Sequence, residues 1–70
     1  MDACVLTIQR THRGCVLLRD GTPLGWYPGP DQALAVAVLL AEARNLRDGT
    51  PAEVMLQHAA GRSQRLARFD

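Results

Sequence analysis

Seventy residues with eight arginines, no lysine and seven acids leave a net charge of +1, which excludes the strongly basic balance of a nonspecific nucleic-acid binder. A chain of this length makes one domain, residues 1–70, and buries only about 60% of its unfolded surface, so a partner or a second copy would help to stabilise it. Two cysteines and two histidines, scattered singly, exclude a disulfide framework and a zinc site, and no cofactor or metal is expected.

The segment Cys4 to Gln9 alternates Cys4, Leu6 and Ile8 with Val5, Thr7 and Gln9, the period-two pattern of a strand that buries one face. Thr11-His12-Arg13-Gly14 is a short connector with a glycine for positive φ, and Cys15 to Arg19 is a second β-rich run that should pair with the first. A turn centred on His12 and Arg13 sets Cys15 opposite Arg10, six positions from Cys4. At ~3.3 Å per residue that offset is about 20 Å, too far for a disulfide, so two buried thiols are expected. Asp20-Gly21 is a two-residue turn signal, and Thr22 to Tyr27 returns as a third strand that Pro23 keeps at a sheet edge.

Pro28-Gly29-Pro30 ends the sheet. Gly29 suits an N-cap, Pro30 the first helical position and Asp31 the positive end of the helix dipole. A helix is predicted from about Pro30 to Arg47, with Arg44 and Arg47 near its carboxyl end and Asp48-Gly49 as its stop. On a helical wheel Val36, Leu39, Leu40, Ala43 and Leu46 form one broad apolar face suited to covering the sheet. A second ridge, Leu34, Val38, Ala41 and Asn45, falls on the other side. It is either under a loop or presented to another chain, which makes Leu34 and Val38 candidate partner-binding residues for a target or for a homodimer.

The last segment reads two ways. Thr50-Pro51-Ala52-Glu53 is a capping box with proline at the first helical position, and Ala52, Met55, Leu56 and Ala59 fit a second helix, giving βββαα. Glu53 to His58 also alternates, Ala60-Gly61 suits a hairpin tip and Arg65 to Phe69 suits a final strand. The hairpin is favoured. The expected fold is α+β, a small antiparallel sheet with one helix packed on it, in the order βββαββ.

Catalysis needs convergent polar groups, and the acids have structural positions instead: Asp20 in a turn, Asp31 at a helix start, Asp48 at a helix stop, Glu53 at a cap or strand start. Asp2 and Asp70 are terminal, and only Glu42 lacks such a role. The single serine, Ser63, has no nucleophile elbow around it, and the six glycines never group as a phosphate loop. A non-enzymatic protein is expected. The longest apolar run, Ala33 to Ala41, is far short of the about 20 residues of a membrane span, and Met1-Asp2-Ala3-Cys4 does not resemble an export signal, so a cytoplasmic location without membrane contact is expected.

Binding features are more evident. Trp26 and Tyr27 are adjacent and point to opposite faces of a strand; Tyr27 is taken as the exposed member and as an anchor, with packing over the Pro28-Gly29-Pro30 turn as the alternative. Arg62, Arg65 and Arg68 crowd the C-terminal hairpin, and Arg10 and Arg13 flank the first turn. Such clusters suit an acidic protein surface or nucleic-acid phosphates; a solvated polar face is the alternative.

The order of these features resembles a group of very small phage and mobile-element proteins that includes anti-CRISPR inhibitors of type I-F complexes. The residues that carry the likeness are Val5-Leu6-Thr7, Arg19-Asp20-Gly21, the alanine-rich helix from Pro30 to Ala43, then Pro51, Val54, Leu56 and Leu66-Ala67-Phe69. Val54, His58, Gly61 and Arg62 are also similar to a hairpin of small bacterial domains of unknown function, and the sheet-then-helix half is similar to HicB-type antitoxin domains. The first resemblance implies a stoichiometric inhibitor that binds a subunit of a CRISPR effector. An arginine-based nucleic-acid binder and an antitoxin-like domain are the alternatives.

Overall fold

The computed structural model describes residues 3–58 and 61–70. Strand β1 (Cys4–Thr11) pairs antiparallel with β2 (Gly14–Arg19) in the register expected from a turn on His12 and Arg13, with Arg10 opposite Cys15 and Ile8 opposite Leu17. The positive φ of that turn falls on Gly14, at 148°, where a Cβ would lie 2.4 Å from the Tyr27 carbonyl oxygen, so this position admits only glycine. Asp20 and Gly21, with φ of 50° and 89°, make the next turn with the doubly positive geometry that suits strand twist. The Asp20 amide donates to the Val5 carbonyl at 2.9 Å, and its carboxylate accepts from the Val5 amide at 3.0 Å. Strand β3 (Thr22–Tyr27) follows, and Pro23 sits on it at the sheet edge as expected.

Helix α1 (Pro30–Asp48) starts after Gly29 with proline in its first turn and stops at Gly49, whose φ of 69° lets its amide donate to the Asn45 carbonyl at 2.8 Å. The Asn45 side chain donates to the Thr50 carbonyl at 3.0 Å and so fixes the return of the chain. Strands β4 (Ala52–Gln57) and β5 (Ser63–Phe69) then form the hairpin, not a second helix. Its tip was expected at Ala60-Gly61, of which Ala60 lies outside the described residues.

The five strands make one sheet in the order β3-β2-β1-β4-β5. Its β1–β4 pair is parallel, so the sheet is mixed and not wholly antiparallel. The reason is the helical crossover, which carries the chain back along the sheet before β4 begins. No helix among the described residues is long and apolar enough to cross a membrane.

One face of the sheet carries Cys4, Leu6, Ile8, Cys15, Leu17, Ala52 and Val54, and α1 covers it with Ala33, Ala37 and Ala41, all fully buried. The face of the helix turned to the sheet is therefore the opposite of the one expected. Leu34 and Val38 pack against the core instead of awaiting a partner, while Leu39 and Leu46 are 68% and 77% exposed. The cause is volume. Leu6, Ile8 and Leu17 already fill the layer from the sheet side, so the helix meets them with its smallest side chains, large against small.

Candidate functional site

Among the described residues, one helix and five strands, the second face of the sheet has no layer over it. Side-chain alternation from the buried residues turns Val5, Thr7 and Gln9 of β1, Val16 and Leu18 of β2, and Glu53 and Met55 of β4 to that face. Trp26 joins them opposite Val16 and is 54% exposed. Arg65 and Arg68 lie on the same face opposite Met55 and Glu53, at the sheet edge far from Trp26. Arg65 Nη1 lies 3.4 Å from Glu53 Oε1 and Arg68 Nε 2.8 Å from Asp70 Oδ1. Both pairs are exposed enough to exchange their partners at little cost.

Tyr27 is not the exposed aromatic. It lies opposite buried Cys15 and packs against the core, with its ring over Gly25. A regular ladder from the Asp20-Gly21 turn would set Cys15 against Trp26. The β2–β3 register shifts at Leu17/Leu18, where Leu24 is the unopposed residue, and a one-residue slip exchanges the faces of everything beyond it. Trp26 was thus missed as the exposed aromatic, and only the bulge separates the two readings.

The other expected arginines fall at one end of the molecule. Because β1 and β4 are parallel, with Gln9 beside Gln57, the β1–β2 turn and the β4–β5 turn share that end. Arg10 and Arg13 stand there with Arg62, His12 and His58, and a shallow depression is lined by Arg10, Thr11, His12 and His58. His58 is held by its amide donating to the Arg62 carbonyl at 2.7 Å and by a 3.3 Å contact of Nε2 with Gln64 Oε1. None of these three arginines has a salt bridge among the described residues. The sequence clusters are therefore regrouped: Arg62 joins Arg10 and Arg13, while Arg65 and Arg68 belong to the sheet face.

A third surface was not foreseen. Between the last turns of α1 and the β2–β3 hairpin lies a cleft of about 350 Å³ lined by Cys4, Leu6, Leu24 and Leu40, with Arg19, Arg44 and Arg47 around it. The bulge turns Leu24 toward the helix to make one wall. Arg44 Nε sits 2.9 Å from Asp48 Oδ2 but outside hydrogen-bonding geometry, so charge alone holds that pair. Among the described residues no three His, Cys, Asp or Glu side chains come together as a metal-binding group. Comparison with known protein families, with curated proteins and with solved structures finds no match to this chain.

Proposed function

We propose that this chain is a non-enzymatic binding module that lays the uncovered face of its sheet on a protein partner. The observation that carries this reading is the exposed Trp26 on a sheet face lined by Val5, Val16, Leu18 and Met55. An antiparallel pair that faces water normally alternates apolar residues inward with polar residues outward. Here the outward side of β2 is apolar as well, with Val16 and Leu18 next to Trp26 of β3 and Val5 of β1, and an exposed large aromatic is a usual member of an interface hot spot. The resemblance given above nominates a CRISPR effector subunit as the partner, met in the host cytoplasm and inhibited by occupation of a surface.

The test is expression in hosts with active CRISPR systems of several types, with targeted-phage survival and co-purification of effector subunits as readouts. Restored phage growth with a co-purifying subunit supports the reading, and Trp26→Ala should then weaken binding by about 2 kcal/mol or more, roughly 30-fold. Full immunity in every host with no captured subunit removes the inhibitor. A second reading has its own observation, the end with Arg10, Arg13 and Arg62, none of which has a salt bridge among the described residues; this end favours contact with nucleic-acid phosphates. Affinity for RNA or DNA that falls steeply with salt would favour it.

A further inference from the structure

The helix face turned away from the sheet repeats a pattern of its own. Val36, Leu39, Ala43 and Leu46 follow one another at spacings of three, four and three, the a and d positions of a heptad, with a β-branched residue at the first a and leucine at both d positions. Their mean direction lies roughly 140° round the helix from that of Ala33, Ala37 and Ala41, at 100° per residue. In this frame Ala37, Val38 and Ala41 hold positions b, c and f, so the packing on the sheet leaves the seam open. Leu39 and Leu46 are the two most exposed large apolar residues described. Val36 is shared, since its inner side touches the rim of the core.

We infer that this seam pairs with the same seam of a second copy, the two helices running parallel. Charge complementarity selects the occupant and its direction. Glu42 takes position g and Arg47 the following e position. In a parallel pair these positions face each other across the seam, so Glu42 of each copy meets Arg47 of the other. An antiparallel pair would set g against g and bring Glu42 toward its own equivalent. Glu42 has no ion pair among the described residues, and the bond of Arg47 to adjacent Asp48, at 3.2 Å with the arginine 73% exposed, is easily exchanged. The seam is about 16 Å long, shorter than a standard interface requires, so the dimer belongs to the weak, concentration-dependent class. It sits on the opposite side of the molecule from Trp26 and stands whether or not the sheet face binds a target. Parallel helices also bring the arginine-bearing ends of both copies to the same side of the pair.

Sedimentation equilibrium of the full chain from micromolar to millimolar concentration tests this. The mass should rise from the 7.6 kDa of one chain toward twice that value. Leu39→Gln and Leu46→Gln should each raise the dissociation constant tenfold or more while far-UV circular dichroism stays unchanged. Glu42→Arg should also weaken the dimer, and adding Arg47→Glu to it should restore most of the loss. A one-chain mass up to millimolar concentration overturns the inference, as does a dimer that both leucine variants leave intact. Failure of the second charge exchange to restore what the first removed overturns the parallel pairing.

Discussion

The two sides of α1 are both apolar and have opposite fates. One side, Ala33, Ala37 and Ala41 with Leu34 and Val38 beside them, lies against the sheet; the other, with Leu39 and Leu46, lies in water. By hydrophobicity alone the leucine side should be inside, since each leucine buried is worth about 1.5–3 kcal/mol. The side a helix turns to a sheet is set by the space the sheet leaves. Where Leu6, Ile8, Leu17 and Val54 fill the layer, an alanine side lets the helix approach the sheet closely, and a leucine side would hold it farther away.

Val38 distinguishes the two sides most sharply. If the alanine side is inward, Val38→Glu sets a carboxylate against the core and should cost about 3 kcal/mol or more, enough to unfold much of so small a domain. Far-UV circular dichroism at 25 °C should show lost helix; a fully folded variant would mean that Val38 faces a partner instead. Ala37→Leu should have a smaller effect, about 1–3 kcal/mol of destabilisation by overpacking, read as a lower urea midpoint. A midpoint that rises would show room between helix and sheet that the alanines do not fill.

Much of the fold was legible because its signals are local. Period-two alternation marked β1, the Asp20-Gly21 pair marked its turn, and Gly29-Pro30 and Gly49 bounded the helix. The Arg10–Cys15 register followed from a two-residue loop, and it keeps the two buried thiols at different levels of the sheet. What was not legible depends on distant partners. Pro23 and Gly25 are residue types that strands tolerate at bulges, but neither fixes the slip at Leu24, and that slip decides that Trp26 and not Tyr27 faces outward. The parallel β1–β4 pair brings Arg62 to Arg10 and Arg13, which no count along the chain reveals. The inward side of α1 depends on volumes contributed by three other strands.

Leu39 and Leu46 contribute little to the fold of a single chain. Equilibrium unfolding of the double variant Leu39→Gln, Leu46→Gln tests this directly at low micromolar concentration, where association adds nothing to stability. Two exposed substitutions should leave the free energy of unfolding within about 1 kcal/mol of the parent. A loss of about 4 kcal/mol or more, the scale of emptying two buried leucine sites, would place these leucines in the core and contradict the account.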